Sequence, residues 1–308
     1  MSKYTVVAYY AGIPPGNKNP EKPLILTNFM QGVSACNDIA VPHVGTNIIN
    51  CDVALVQGFV HDNSKNSTHL NLRKAVIDSQ RALHKRSLIV DSNLFLYADP
   101  GNTKRYLRYS YDGVFPTTGF YFDTVVDPNR WTKISKDLGL SLQPWRKTGE
   151  HILICLQRNG GWSMGEVSST EWLHKTIAKI KSHSNRPIVV RPHPGDSKTA
   201  DSLIIKYPGV SISKNTNLLD DLRNCWCTIT YNSSPGVASV IEGIPTFITD
   251  SIPKNSQSFS VGNIDLSTIE NPLMPERQQW IEKIAMSHWN FNELKDGSAW
   301  NHMRLFVK

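Results

Sequence analysis

A chain of 308 residues, 40% hydrophobic and 19% charged, is too long for one ordinary domain and too apolar for a disordered or fibrous protein. No apolar run reaches the roughly 20 residues of a membrane span, and the N-terminus reads as a strand rather than a signal peptide. A cytoplasmic protein without stable membrane insertion is therefore expected. The formal charge of +7 is uneven: the first 150 residues hold 17 Lys+Arg against 12 Asp+Glu, the remainder 16 against 14. That favours an anionic partner for the first half, against the plainer alternative of a solvated basic surface.

Strand-like apolar runs alternate with helix-like periodic runs, the pattern of α/β layers around mainly parallel sheets. In the first half, strands are expected over 4–10, 24–29, 53–57 and 87–90. A helix is expected over 71–85, where Leu72, Val76, Ser79 and Leu83 share one face. Residues 12–23, rich in Pro and Gly, read as a loop over a cleft. A looser stretch over 127–150, with Pro128, Gly139, Pro144 and Gly149, ends in a linker between domains 1–149 and 150–308. The second half restarts the pattern, with strands over 151–156, 187–191, 210–213, 227–231 and 246–248. Helices are expected there over 171–182, 218–223 and 235–242, and 276–306 reads as helical and rich in Trp. The five cysteines are scattered, and only Cys225 and Cys227 lie close, with no partner at zinc-ligand spacing. Buried, reduced thiols are expected.

Three segments of the second half fall at the carboxyl ends of expected parallel strands, the edge where open α/β sheets bind ligands. The first, Leu156-Gln-Arg-Asn-Gly-Gly-Trp-Ser-Met164, offers Arg158 for forked bonds to a diphosphate, while Gly160 and Gly161 clear the backbone for a ligand. Otherwise it is a surface turn. The second, Ile188-Val-Val-Arg-Pro-His-Pro-Gly195, fixes Arg191 and His193 between prolines, placed to neutralise charge on a departing diphosphate. The third is Tyr231-Asn-Ser-Ser-Pro-Gly, followed by a helix and then Glu242-Gly-Ile-Pro245. Asn232, Ser233 and Ser234 stand at the helix start as cap and phosphate site, and Glu242 is placed for ribose hydroxyls.

Together these segments, over roughly 150–250, resemble the donor domain of GT-B glycosyltransferases. Arg-Pro-His-Pro and the Ser-rich helix start ending in Glu-Gly-Ile-Pro are similar to capsule-type and bacteriophage sugar transferases. The tail from Trp289 to Arg304, with Glu293, Gly297 and Trp300, is similar to the ends of tailed-phage glycosyltransferases. The resemblance implies two Rossmann-like domains facing a central cleft, with C-terminal helices, and a nucleotide-sugar donor, with UDP the expected nucleotide. It suggests 5-hydroxymethylpyrimidine in phage DNA as acceptor. Asp-x-Asp, Gly-x-Gly-x-x-Gly, Walker A and Gly-x-Ser-x-Gly patterns are all missing, so neither a metal nor a cofactor is expected.

The first half then supplies the acceptor side. Asp91, after the strand over 87–90, is the expected general base, or else the cap of its own turn. Asp112, Asp123 and His43 follow it. In Lys104-Arg-Tyr-Leu-Arg-Tyr-Ser-Tyr111, three cations alternate with three tyrosines, so Lys104, Arg105 and Arg108 are expected on duplex DNA phosphates with the rings on bases. An ordinary strand or helix with a wet face is the alternative. The expected reaction is inverting transfer to an acceptor hydroxyl. Its rivals are transfer to capsule or envelope glycan, and a non-catalytic nucleotide-sugar or nucleic-acid binding module.

Overall fold

The computed structural model describes residues 3–14, 21–60, 66–158, 162–196, 203 and 205–308. The chain divides into two compact units, one of Met1–Asn93, Gly101–Lys133 and Glu282–Lys308, the other of Leu94–Pro100 and Ile134–Ile281. The division differs from the contiguous halves 1–149 and 150–308, because the carboxyl-terminal segment belongs to the first unit.

The first unit holds β1 (Thr5–Tyr9), β2 (Ile39–His43), β3 (Val53–Gln57), β4 (Arg86–Ser92), β5 (Leu107–Tyr111) and β11 (His288–Trp289), in the sheet order β11-β5-β4-β3-β1-β2. β2, β1, β3 and β4 are parallel, β5 pairs antiparallel with β4, and β11 pairs antiparallel with β5. The strand order reverses between β1 and β3. Val6, Ala8, Val53, Leu55, Leu88 and Val90 fill one continuous core with Phe29 and Tyr109. α1 (Glu21–Ala35) and α2 (Thr68–Ala82) are the crossovers. The run 24–29, expected as a strand, lies inside α1. Ile25, Leu26, Phe29, Met30 and Val33 are buried at helical spacing, a period hidden within a short apolar run. β2 was not expected, β5 falls on the stretch over 104–111 whose alternative was an ordinary strand or helix, and α3 (Pro128–Leu138) occupies the stretch expected to be loose.

After α7 (Gln278–Ala285), β11 adds to the free edge of β5. α8 (Phe291–Lys295) and α9 (Ser298–Met303) then pack on α1. A Cβ added at Gly32 of α1 would come within 1.9 Å of the Leu294 carbonyl oxygen, so only glycine admits this approach. Trp300 is fully buried, edge-on to Phe29 and Tyr4, and its Nε1 donates to Asp38 Oδ2 at 2.7 Å. Glu293 closes a capping box with Asn290 and pairs with Arg130 of α3 and, at 2.6 Å, with Lys133. The similarity drawn from Glu293, Gly297 and Trp300 thus falls on residues that anchor the tail.

His288 is fully buried, with Nδ1 donating to the Ile284 carbonyl at 2.8 Å. Burial, and then Arg108 and Arg130, push its pKa down from 6.5 to about 3. The unfolded chain therefore binds the proton first, and stability present above pH 6.5 is lost as pH falls toward 3. Each pH unit in that window is expected to cost about 1.4 kcal/mol. Urea midpoints between pH 7 and 4 check this: His288→Asn should flatten the decline, and an equally steep decline in that variant would refute the assignment.

The second unit holds β6 (His151–Cys155), β7 (Ile188–Arg191), β8 (Val210–Ile212), β9 (Cys225–Thr230) and β10 (Thr246–Ile248), all parallel, in the order β10-β9-β6-β7-β8. Counted from β8, that is the 3-2-1-4-5 arrangement of a Rossmann sheet, with its topological switch between β6 and β9. α4 (Ser169–Lys181), α5 (Leu218–Leu222) and α6 (Pro235–Ile241) fall where the periodicity predicted helices. Trp172, Leu173, Ile177 and Ile180 of α4 pack on Ile152, Ile154, Ile188 and Val190. All five cysteines are free thiols, four of them buried. Among the described residues, no helix is long and apolar enough to cross a membrane.

Candidate functional site

The loops at the carboxyl ends of β6, β7 and β9 stand on three adjacent strands of the second sheet, and hydrogen bonds join two of them across the switch point. Gln157, buried just after β6, accepts the Asn232 amide at 3.0 Å and donates to Ser163 Oγ at 2.7 Å. Asn232 Nδ2 donates to the Ser163 carbonyl at 3.1 Å and to Asp250 Oδ2 at 2.7 Å. Asp250, just past β10, also accepts the Ile252 amide at 2.9 Å. A buried polar network with its members satisfied holds loops rigidly. Asn232 is therefore a brace for the β9–α6 turn.

The turn itself carries two orphans. Ser233 Oγ and Thr230 Oγ1 are buried without hydrogen-bond partners, and such groups are rare enough in folded proteins to call for a reason. Ser234 is exposed and its side chain makes no capping bond, unlike the cap expected from the sequence. Pro235 does open α6. A Cβ on Gly236 would fall 2.9 Å from Ser258 Oγ, so α6 seats closely on its strands.

His193 is half-buried, and its Nδ1 accepts the Gly195 amide at 3.0 Å. The neutral ring therefore carries its proton on Nε2, where it can donate to a ligand. Burial, then the nearby Arg158 charge, push its pKa below the ordinary value, against a smaller opposite effect of Asp196. Arg158, on the β6 loop, is exposed. Gly160 and Gly161 lie outside the described residues.

Arg191 requires a correction. It is only 8% exposed, and its guanidinium pairs with Asp221 while donating to the carbonyls of Asn215, Thr216 and Asn217 at 3.0, 2.7 and 3.3 Å. Asp221 is satisfied in turn by Ser213 at 2.6 Å and Asn215 at 2.8 Å. The expected phosphate ligand is instead the clamp that holds the β8–α5 loop. Glu242 is not brought to the others either: it caps the far end of α6, eight residues or about 12 Å past Ser234. There it accepts the Tyr97 hydroxyl at 3.1 Å, and burial raises its pKa above the usual carboxylate value. A 580 Å³ depression lined by Lys181–Arg186 and Glu270 lies just before β7, at the opposite edge of the sheet from these loops.

Two solved structures share this architecture. Thermosulfurimonas dismutans KpsC, β-Kdo 2,4 transferase, matches at 12% identity over 93% of this chain and 91% of that one, with a TM-score of 0.56. Thermosulfurimonas dismutans KpsC, β-Kdo 2,7 transferase, matches at 13% identity over 98% and 99%, with a TM-score of 0.53. The fold is GT-B-like. No family model matches the chain, and no curated protein matches it in sequence.

The GT-B-like first unit disposes of its sequence candidates differently. Asp91 pairs with Arg108 across the β4–β5 register at 2.6 Å, and its other oxygen accepts the Ser92 amide at 2.8 Å. It is the counter-ion of Arg108 rather than an unengaged base. Asp112 is likewise taken, by Arg86 at 2.6 Å and the Ser87 amide at 2.9 Å, and His43 Nε2 bonds the Asn47 carbonyl at 2.9 Å. Asp123 is half-exposed. Arg105 pairs with Glu21 at 2.8 Å. The rings of Tyr106, Tyr109 and Tyr111 are 0% exposed, so base stacking on this stretch is excluded. Lys104 is exposed. Among the described residues, no group of three or more His, Cys, Asp or Glu could hold a metal ion.

The sequence reading missed Gln157 and Asp250. Gln157 follows an expected strand directly and Asp250 stands two residues past another, so the strand-end rule that singled out Arg158 and Asn232 would have found them.

Proposed function

We propose that this chain is a glycosyltransferase that binds a nucleotide-diphosphate sugar at the carboxyl edge of the second unit's sheet. What carries the reading is the gathering of Arg158, the Nε2 donor of His193 and the orphaned Ser233 hydroxyl on three adjacent strands at a Rossmann switch point. A diphosphate offers acceptor atoms to these donors. In the reaction, the acceptor oxygen bonds to the anomeric carbon as the bond to the diphosphate breaks, and the acceptor's hydroxyl proton passes to solvent. The electron pair of the broken bond stays on the diphosphate, where Arg158 and His193 stabilise it. Gln157, Asn232 and Asp250 hold the loop in place.

The acceptor we propose is a glycan hydroxyl, in keeping with the Kdo-transferase names of the two structural neighbours. The uneven charge of the first half favours hydroxymethylated duplex DNA instead, but its three tyrosines are buried. Incubation with a panel of nucleotide sugars, glycans and hydroxymethylated duplex, read by mass spectrometry, separates the two. Transfer to glycan, undiminished by EDTA, is the expected result. Glycosylated DNA would select the second acceptor, and failure to bind or turn over any nucleotide sugar would end the transferase reading.

A further inference from the structure

We propose that Arg73, with Lys22 and His69, forms an oxyanion-binding site in the first unit, taking a carboxylate or phosphate group of a ligand. The site lies wholly within that unit and does not rest on the donor assignment.

Arg73 projects from α2 at the carboxyl edge of the parallel strands, and it is 8% exposed. Its Nε donates to the Gly12 carbonyl at 2.6 Å, just past β1. On the other side it lies against Gly58, just past β3, where an added Cβ would come 2.8 Å from Nη1. Gly58 has φ +84°, a conformation suited to glycine on its own account. The guanidinium therefore bridges the two loops between which the strand order reverses, the place where open α/β sheets bind ligands.

Buried guanidinium groups are ordinarily paired with a carboxylate or bonded through most of their N–H groups. Among the described residues, Arg73 has no ion pair and no hydrogen bond beyond the one to Gly12. Glu21, the acidic residue that opens α1, is paired with Arg105. Burial alone pushes the Arg73 pKa down to about 10. Lys22 adds positive charge nearby, and His69 stands one turn earlier on α2 with its pKa lowered by burial, then by Arg73, then by Lys22, so that its ring is held neutral. Two helices thus direct three basic side chains to one sheet edge. A cation kept out of water, with four of its five N–H groups uncommitted, fits a planar or tetrahedral oxyanion.

The test uses the full chain without nucleotide sugar, so that it stands or falls apart from glycosyl transfer. Thermal midpoints are followed on titration with inorganic phosphate and with glucuronate, at constant ionic strength. Phosphate marks a phosphorylated ligand, and glucuronate an acidic sugar; stabilisation by either supports the site. Arg73→Met should weaken that effect by about tenfold or more, the loss of a charge-assisted contact. It should leave the midpoint without anion unchanged or higher, because an uncompensated buried charge is removed. A purely structural arginine would do the reverse. Arg73→Lys, which keeps the charge and loses the fork, gives a second reading, expected to bind more weakly than the wild type. Midpoints unmoved by both anions, or moved equally in the Arg73 variants, would overturn the proposal.

Discussion

Replacing Asp221 with alanine is expected to destabilise the second unit by about 3–5 kcal/mol, the cost of leaving a buried cation without its counter-ion. Asp221 is almost wholly buried and bonds Arg191, Ser213 and Asn215, while Arg191 ties the carbonyls of residues 215–217. Removing the carboxylate strands the guanidinium and frees two further donors. The double variant Arg191→Met, Asp221→Leu should recover much of the loss, because neither charge is then left alone. Urea denaturation followed by tryptophan fluorescence measures both. If the single variant unfolds at the wild-type midpoint, the clamp carries no stability and the β8–α5 loop is held by something else.

Replacing His193 with alanine is expected to lower kcat for sugar transfer by about 10²- to 10³-fold, the usual cost of removing one donor from developing charge. Nucleotide affinity should change far less, since the bond strengthens only as the diphosphate departs. His193→Gln should recover part of the rate, because its amide can donate from nearly the same position. Any inflection of the wild-type rate from His193 should fall below the ordinary histidine value, since burial, then Arg158, push its pKa down. Steady-state kinetics across pH decide the matter. An unchanged kcat for the alanine variant would remove His193 from the reaction.

The second unit was almost wholly legible in the sequence. Its central strands are short apolar runs buried on both faces and divided by amphipathic helices, and β10 falls on the three residues expected. The first unit was less so. In α1, the helical period is masked where Leu24, Ile25 and Leu26 stand side by side. β2 has no fully buried residue and carries Pro42 next to its end, and β11 is two residues long and gains its place from β5. At the site, sequence showed which residue types stand at strand ends, but not what occupies them. Arg158 and Arg191 look alike in the chain. One meets solvent, and the other is consumed by Asp221, a carboxylate 30 residues away on a different element. The alternation of cations and tyrosines over 104–111 had the same ambiguity: β5 turns the rings of Tyr109 and Tyr111 into the core.

The return of residues 282–308 to the first unit also sets an order of birth. On the ribosome, the parallel strands β1 to β4 emerge early, but the groove along α1 stays empty until Trp300 arrives. Most of the second unit, a single stretch over 134–281, is made in between and can close first. The half that begins the chain is therefore the last to finish folding. During that wait, the apolar face of α1 and the open edge of β5 are surfaces for a chaperone to shield.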